Sequence, residues 1–360
     1  MSKVFSEVLH IINGKNQRSV ENPNGKYPIY GSGGIMGYAD DYLCEAETVI
    51  IGRKGSINKP IYIEEPFWNV DTAFGLVADK TVLLPRYLFY FCVNYDFEKL
   101  NRTVTIPSLT KSDLLKVEIN LPDIIFQQKV VERLDSVENC IKLYQIQLQK
   151  LDELIKSRFV EMFGDMIINP FDWKQDKLGK VCDVRDGTHD SPSYCDIGYP
   201  LVTSKNVTNG TINFSDCNYI CEADFTKINV RSKVDIGDIL MPMIGTIGKP
   251  VIVETAKPFA IKNVALVKFF PNGLVNNTYI HTILKSDYFD RMVISKIRGG
   301  TQKFIALGDI RELTIAIPPL KLQYQFADFV TQVEKQKATV QKSIKKLETL
   351  KKSLMQEYFG

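Results

Sequence analysis

The chain contains one long internal repeat. Residues 105–164 align with residues 301–360 without a gap, at a constant separation of 196 positions, and each copy ends in Phe-Gly. The identical residues include Pro122 and Pro318 and also Gln127 and Gln323. A repeat of this length is too long to be one unit of a solenoid, and two copies are too few for a repeat array. The repeat therefore predicts a duplicated structural unit, and two equivalent units imply two equivalent functions.

Length and composition indicate two ordinary globular domains. At 360 residues the chain exceeds the size at which a single hydrophobic core stops growing. Its hydrophobic fraction of 44% and charged fraction of 24% are typical of folded proteins and argue against disorder. The apolar runs are too short to span a membrane, and the N-terminus does not resemble a signal peptide. We therefore expect a cytoplasmic protein with no membrane partner.

Cysteines, histidines and net charge limit the kinds of site to be expected. The seven cysteines include no C-x-x-C pair, and the three histidines are widely spaced, which favours reduced thiols over a zinc site. The net charge is only +3. A site for nucleic acid would therefore have to be a local cluster of Lys and Arg on particular loops.

Two segments have the hydrophobic periodicity of long helices. From Val130 to Met162, and again from Phe326 to Tyr358, apolar residues recur at steps of three and four, with Lys337 and Lys351 interrupting the second series. Such heptads predict helices that pack along another long helix, each on the order of 50–60 Å long. A coiled-coil homodimer is the alternative. Pairing within the chain is favoured because each helix follows a homologous domain, and a pseudo-two-fold axis then makes the helices antiparallel.

The expected fold class is α+β, with two mixed α/β domains and two long antiparallel coiled-coil helices arranged as a pseudo-two-fold dumbbell. Short β-rich runs separated by Gly, Pro and Asn turns precede each helix. The predicted segments are a first domain at 1–122, a helix at 123–164, a linker at 165–172, a second domain at 173–318 and a helix at 319–360.

The two globular domains are also similar to each other, although more weakly than the helices. Residues 49–60 align with residues 239–250 and share a Gly, a hydroxyl residue, an Ile, a Lys and a Pro in register. The loops at 15–18 and 188–194 differ between the domains. One scaffold with two different sets of loops predicts two sites that read different ligands.

The sequence contains no recognisable catalytic motif. The glycines at 31–34 lack the G-x-G-x-x-G spacing, and residues 245–250 have Pro250 where a phosphate-binding loop requires Ser or Thr. Asn169-Pro170 lacks the second proline expected in an adenine methyltransferase motif. We therefore expect no catalytic residue, no metal site and no cofactor in this chain. An enzyme with unrecognised motifs is the competing hypothesis.

Loop residues with fork-like donors and acceptors are the candidates for DNA contact. Such side chains read base edges, while Lys and hydroxyl groups hold phosphates. The candidates in the first domain are Lys15, Asn16, Arg18, Arg53, Lys54, Ser56, Asn58 and Arg102. The candidates in the second domain are His189, Ser204, Lys205, Asn206, Thr246, Lys249, Lys262, Asn263, Arg298, Gln302 and Lys303. A solvated loop charge is the alternative for each residue alone, whereas their recurrence in both domains favours DNA binding for the set.

The chain resembles the specificity subunit of Type I restriction–modification systems over nearly its whole length. The resemblance rests on the segments at 173–179 and 186–189, on the loop at 27–34, and on the repeated Pro and Gln at 122 and 127 and at 318 and 323. These elements occur in the same order twice, before heptad helices that end in Phe-Gly. The first domain lacks the Trp-containing entry seen at Trp173.

This resemblance implies a DNA-specificity subunit without an active site. Each target-recognition domain would read one half of a bipartite target in double-stranded DNA, and the helices would set the spacer and dock methyltransferase subunits, expected to be two. Restriction/translocase subunits would complete the complex, and S-adenosylmethionine, ATP and Mg would bind to these partners. The alternatives are the specificity subunit of a related two-subunit Type II system and a scaffold that does not bind DNA.

Overall fold

The computed structural model describes residues 2–101, 106–208, 210–245, 247–296 and 304–360. The chain forms two compact units. Unit 1 consists of Met1–Ile146 and Val340–Gly360, and unit 2 of Gln147–Thr339. Each unit therefore combines one globular domain with part of both long helices.

The described residues of unit 1 form three small sheets and a core helix. Its elements in chain order are β1 (Ser2–Val4), α1 (Phe5–Val8), β2 (Leu9–Asn13), β3 (Tyr27–Gly31), β4 (Gly34–Ala39), β5 (Thr48–Gly52), β6 (Ile61–Ile63), β7 (Trp68–Asn69), β8 (Ala73–Ala78), α2 (Pro85–Asn94), a 3-10 turn (Phe97–Leu100), α3 (Lys111–Leu114), β9 (Glu118–Asn120) and the start of α4 (Ile124–Phe163). The strand orders are β2-β8-β5-β6, β4-β3-β7 and β1-β9. All pairs are antiparallel except β3 with β7.

Unit 2 repeats this plan and adds elements to it. Its elements in chain order are the end of α4, β10 (Gln175–Lys177), α5 (Leu178–Val181), β11 (Cys182–Asp186), β12 (Tyr194–Cys195), β13 (Tyr199–Val202), β14 (Val207–Thr208), β15 (Thr211–Ile212), β16 (Asn218–Ile220), α6 (Glu222–Ser232), β17 (Ile239–Pro242), β18 (Val251–Ile252), β19 (Ala260–Ile261), β20 (Val264–Phe269), α7 (Asn277–Leu284), α8 (Asp287–Met292), a 3-10 turn (Ile294–Lys296), α9 (Leu307–Arg311), β21 (Thr314–Ala316) and the start of α10 (Leu320–Phe359). The order β11-β20-β17-β18 corresponds to β2-β8-β5-β6, and the parallel pair β13 and β19 corresponds to β3 and β7. The predicted α+β class with duplicated mixed domains is confirmed.

The central strand β5 shows how the sheet of unit 1 is buried on both faces. Val49 and Ile51 point into a core that includes Tyr87 of α2 and Leu134 of α4. Ile50, between them, packs in a separate cluster on the other face. Because side chains alternate along a strand, a strand covered on both sides is apolar at every position.

The two long helices occupy equivalent positions in the repeat. α4 begins at Ile124 and ends at Phe163, and α10 begins at Leu320 and ends at Phe359, 196 positions later at both ends. Within unit 1 the first turns of α4 pack near the end of α10, since Met355 joins the core that contains Val130. The predicted long helices, paired within the chain, are confirmed.

The two lysines that interrupt the heptads form ion pairs with the facing helix. In unit 1, Lys351 Nζ lies 2.5 Å from Glu138 Oε1, and Arg133 donates a 2.8 Å hydrogen bond to the Tyr358 hydroxyl. Glu138 follows Arg133 on α4, whereas its partner Lys351 precedes Tyr358 on α10. The two helices therefore run antiparallel. In unit 2, Lys337 Nζ lies 2.7 Å from Asp152 Oδ1. Polar residues in a helix seam specify its register and orientation.

α4 contacts the first domain near its start and the second domain near its end, through different kinds of side chain. In unit 1, Arg86 of α2 donates a 2.8 Å hydrogen bond to Asp135, and the Tyr90 hydroxyl donates to both Asp135 and Glu138. In unit 2, four aromatic rings pack together with centroid distances of 4.8–5.6 Å, and they come from Phe159 and Phe163 of α4, Tyr279 of α7 and Phe326 of α10.

A buried glutamine occupies the same place in both units. Gln127 accepts a 2.9 Å hydrogen bond from Leu84 N, the residue that precedes α2, and donates to Val82 O and Pro122 O at 2.8 and 2.9 Å. Its side chain is fully buried.

In unit 2 the fully buried Gln323 accepts from Asn276 N at 2.8 Å, ahead of α7, and donates to Leu274 O and Pro318 O at 3.0 and 2.7 Å. Each glutamine thus joins the first turns of a long helix to the start of a helix in its own domain.

Replacing Gln127 by Leu should destabilise unit 1 by about 2 kcal/mol or more, because three backbone groups lose a buried partner and each orphaned group costs about 1–3 kcal/mol. The change would be measured as a fall in the urea midpoint of unfolding. The neighbouring Gln128 is exposed, and its side chain bonds to Glu132 on its own helix. Gln128→Leu is therefore the matched control, with an expected change below about 0.5 kcal/mol. Equal effects of the two substitutions would contradict this role for Gln127.

Candidate nucleic-acid interface

Several loops of the first domain meet at one edge of its four-stranded sheet. Strands β2 and β5 both end opposite the start of β8, where Asn13 pairs with Phe74 and Gly52 with Ala73. The loops at 14–18, 53–58 and 70–72 therefore lie side by side. The turn at 32–33 joins them, because β3 runs parallel to β7 and Tyr30 O accepts a 3.1 Å hydrogen bond from Val70 N. We call this region the loop edge of the first domain.

Backbone and indole hydrogen bonds hold these loops together. Lys15 N donates to Asn69 O at 2.9 Å, and Trp68 Nε1 donates back to Lys15 O at 3.0 Å. Arg53 N donates to Thr72 O at 2.7 Å. The predicted residues of this domain that lie at the loop edge are Lys15, Asn16, Arg18, Arg53, Lys54, Ser56 and Asn58.

The second domain has an equivalent loop edge, made of residues 187–193, 203–206, 243–245, 247–250 and 262–263. Thr188 N donates to Ile261 O at 3.0 Å, as Lys15 N does to Asn69 O in the first domain, and Lys262 N donates to Val202 O at 2.9 Å, as Val70 N does to Tyr30 O. The predicted residues of this domain that lie at its loop edge are His189, Ser204, Lys205, Asn206, Lys249, Lys262 and Asn263. The members of the two predicted sets named above therefore occupy the same edge of the same scaffold.

The loops after β5 and β17 share one backbone turn. Gly55 has φ +77° and Gly245 has φ +78°, in the left-handed region that glycine adopts without strain. Ile57 N donates to Gly55 O, and Ile247 N donates to Gly245 O, both at 2.9 Å. The repeated glycine therefore shapes the turn, and the side chains around it are free to differ.

His189 stands at the centre of a hydrogen-bonded cluster in the second domain. Its Nδ1 lies 2.8 Å from Asn263 Oδ1, and its Nε2 lies 2.7 Å from Asp186 Oδ2. Arg231 of α6 donates to the other oxygen of the nearly buried Asp186. Both oxygens that face the imidazole are acceptors, so the charged ring can donate to both at once. The hydrogen bonds with Asn263 and Asp186 raise the pKa of His189 above its usual value of 6.5.

Further contacts extend this cluster to other predicted residues. Lys262 Nζ donates to Ser191 Oγ at 3.0 Å, and Ser204 Oγ donates to Asn263 O at 3.4 Å. The structure thus brings His189, Ser204, Lys262 and Asn263 together, although up to 74 positions separate them in sequence.

Two of the predicted residues have structural roles in their loops. Asn206 is only 3% exposed, and its Oδ1 accepts from both Thr203 N and Thr203 Oγ1 at 2.9 Å. A buried side chain of this kind closes the loop and presents little surface to a base. Asn58 is exposed, but its amide donates to Asp96 and accepts from Phe97 N. The predicted residues Arg102, Thr246, Arg298, Gln302 and Lys303 lie outside the described residues.

Sequence reasoning missed three residues at the loop edges. Asp71 and Thr72 are exposed in the loop between β7 and β8, which corresponds to the loop of Lys262 and Asn263. Their position in sequence, directly before the strand β8, could have indicated that they lie at the loop edge. Arg231 comes from α6, for which the first domain has no described counterpart, so comparison of the two halves could not reveal it.

Other kinds of site are not apparent in the described part of the chain. No group of three His, Cys, Asp or Glu residues there is arranged to hold a metal ion. All seven cysteines are free. Among the described residues, no helix combines the length and the apolar character that a membrane span requires.

The chain matches the protein family described as the type I restriction modification DNA specificity domain, over residues 2–153 and again over residues 170–349. The chain belongs to this family. The two matched segments correspond to the two copies of the scaffold described above. The predicted resemblance to Type I specificity subunits with two recognition domains is confirmed.

Individual members of the family are distant relatives of the chain. A Haemophilus influenzae protein assigned to the type I restriction enzyme specificity subunits is 26% identical, with 92% of this chain and 87% of that protein covered. The MjaVIII specificity subunit of Methanocaldococcus jannaschii is 22% identical, with 86% and 75% covered. The S subunit of a type I restriction–modification system from M. genitalium has the same fold, with a TM-score of 0.63 at 15% identity and coverage of 100% and 96%.

A histidine titration followed by NMR tests the cluster around His189. The three histidines should be resolved individually, each signal being assigned by its loss in a His→Gln variant. His189 should titrate above pH 6.5, whereas burial lowers the pKa of His281 to about 4. Because the folded state raises the pKa of His189, the resulting stabilisation is complete below about pH 6.5 and is lost as the pH rises through the raised value.

The variant Asn263→Gly removes one of the two acceptors and suits the observed φ of +55° at this position. It should lower the pKa of His189 and leave the His281 signal unchanged. A wild-type His189 that titrates at or below pH 6.5 would contradict the geometry.

Proposed function

We propose that this chain is the non-catalytic DNA-specificity subunit of a Type I restriction–modification complex, in which each domain reads one half of a bipartite target. One observation carries the proposal: the two domains present equivalent loop edges that bear different side chains. Where the first domain has Lys15, Asn16 and Arg53, the second has Thr188, His189 and Met243. Equivalent backbones with different side chains are what two different half-sites require.

The exposed groups at the loop edges suit double-stranded DNA. Arg53 can pair with the O6 and N7 acceptors of guanine, and Asn16 with adenine. Asp71 can accept from the amino group of cytosine. Lys54 and Lys249 are exposed on equivalent loops and can hold phosphates, which contributes affinity without sequence information.

The two long helices are proposed to set the spacer and to dock the partner subunits. Two equivalent helix–domain units provide two equivalent docking positions, so the proposal includes two methyltransferase subunits and, on the complete complex, restriction/translocase subunits. A chain with the same fold, at a TM-score of 0.59 and 16% identity, comes from a structure of a type I R–M system that was described for its complex assembly. S-adenosylmethionine, ATP and Mg would be bound by those partners, and adenine methylation would be their chemistry.

Genome-wide mapping of methylated adenines tests the proposed function directly. The chain would be expressed with the neighbouring methyltransferase gene in a host that lacks adenine methylation. The expected result is an interrupted motif with adenines methylated on opposite strands, present only when both proteins are made. Exchange of the second domain's loop edge for that of a relative should change one half of the motif only. A contiguous motif, or methylation without this chain, would contradict the proposal.

Insertion of one heptad into each helix tests the role of the helices. Residues 140–146 and 333–339 would be duplicated, directly before the positions where α4 and α10 pass from one unit to the other. Seven helical residues add about 10 Å, which corresponds to about three base pairs of spacer. The mapped motif should keep both half-sites and gain that spacing. A longer helix pair with an unchanged spacer would show that the helices do not set the distance.

A further inference from the structure

The hairpin formed by β3 and β4 in the first domain exposes a group of apolar side chains. Ile35 is 55% exposed, Met36 62% and Tyr38 45%. Single exposed apolar residues are ordinary on protein surfaces. These three instead lie within four positions of one strand, at its junction with the loop edge. Exposed apolar groups with polar residues beside them mark interaction sites.

A β-bulge determines where Met36 points. Tyr30 pairs with Ile35 and Ile29 pairs with Gly37, so Met36 is the additional residue on β4. Bulges of this kind redirect a side chain and are frequent next to functional sites. A methyl group placed on Gly31 would come within 2.7 Å of Met36 Sδ and 3.4 Å of Val70 Cγ2. Met36 therefore lies over the end of β3, beside the loop that follows β7.

The position of the hairpin favours DNA as the covering partner. Its turn at 32–33 packs close to Gly52, directly before Arg53. The same turn corresponds to the loop of Ser204 and Lys205 in the second domain, which are among the residues proposed to contact DNA. Exposed Lys15, Arg53 and Lys54 on the adjoining loops supply the positive charge that a phosphate backbone requires.

We propose that Met36, supported by Ile35, acts as an apolar wedge that inserts partway between two adjacent base pairs of the half-site read by the first domain. Insertion buries the exposed thioether and side-chain methyl groups, while the neighbouring cations hold the flanking phosphates. Wedges of this type unstack one base step and kink the duplex, and they favour pyrimidine–purine steps, which unstack most easily. This inference rests on the proposed function and adds one specific contact to it.

Fluorescence of 2-aminopurine tests the wedge, because this base brightens when it loses its stacking neighbour. The full-length chain with its methyltransferase partner would be titrated onto duplexes that carry the mapped motif, with 2-aminopurine replacing one adenine at a time in or beside the first half-site. The methylated adenine is left in place, because a methyltransferase flips its target base out of the stack and would brighten that position without a wedge. We expect one position to brighten with the wild-type protein. Met36→Gln should abolish the signal and weaken binding about tenfold, whereas Met36→Leu should retain both.

A second exposed apolar residue serves as the control for the wedge. Ile236 of the second domain is 64% exposed, so Ile236→Ala should leave the signal and the affinity unchanged. Thermal unfolding of each variant would show that the exposed substitutions preserve the fold. A loss of affinity in Met36→Gln with no brightening in the wild type would indicate contact with a thymine methyl group and would overturn the wedge.

Three more outcomes would also overturn the wedge. Unchanged DNA affinity in Met36→Gln, together with a shift from dimer to monomer in sedimentation, would assign the hairpin to contact between copies of this chain. If the wild-type complex binds the mapped motif and no 2-aminopurine position brightens, the wedge fails while the proposed function stands. If the wild-type complex shows no preference for the mapped motif, both the proposed function and the wedge fail.

Discussion

The fold depends on one buried amide that is present twice. A fully buried glutamine must satisfy its carbonyl oxygen and its amino group within the protein, since no water reaches them. Gln127 and Gln323 meet this requirement with the backbone just ahead of α2 and α7 and with the proline carbonyl that precedes each long helix. The start of the long helix and the start of the domain's core helix are thereby fixed to each other. Because the core helix packs under the sheet, the same contact positions the strands whose ends carry the loop edge.

Around this common joint the two units share one contact, and unit 1 has a second. Phe359 packs on Tyr87 in unit 1 with ring centroids 5.0 Å apart, as Phe163 packs on Tyr279 in unit 2 at 4.8 Å. In unit 1, Arg86 and Tyr90 also form a polar network with two carboxylates of α4. Aromatic packing contributes mainly through buried area. A polar network is stabilising only when all its members are paired, so it tolerates fewer arrangements. Of the two carboxylates in this network, Glu138 aligns with an identical residue, Glu334, whereas Asp135 aligns with Thr331.

The features that could be predicted from sequence are those with a short period or an exact repeat. The heptads predicted both long helices, and the intruding Lys337 and Lys351 turned out to face carboxylates. The duplication predicted two domains of one scaffold. The composition of the loop edge was harder, because it is assembled from strand ends that lie far apart in sequence. Asp71 was missed since a lone carboxylate in a turn is usually solvated, and Asn206 was selected because polarity alone does not show that a side chain points inward.

Hydrogen bonds within the protein hold both loop edges, and the two domains add different side-chain contacts to a shared backbone pattern. In the first domain, backbone amides and the indole of Trp68 hold the loops, which leaves Lys15 and Arg53 side chains exposed. In the second domain, His189, Asn263 and Asp186 hold one another through their side chains. Ordering a flexible loop on binding costs free energy, and a preformed loop avoids that cost. The second domain engages the same side chains that would read a base, so His189 and Asn263 would meet DNA with part of their hydrogen-bonding capacity already used. In the first domain the side-chain contact of Asn16 stays within its own loop, where its Oδ1 accepts a 2.9 Å hydrogen bond from Arg18 N, while Lys15 and Arg53 remain exposed.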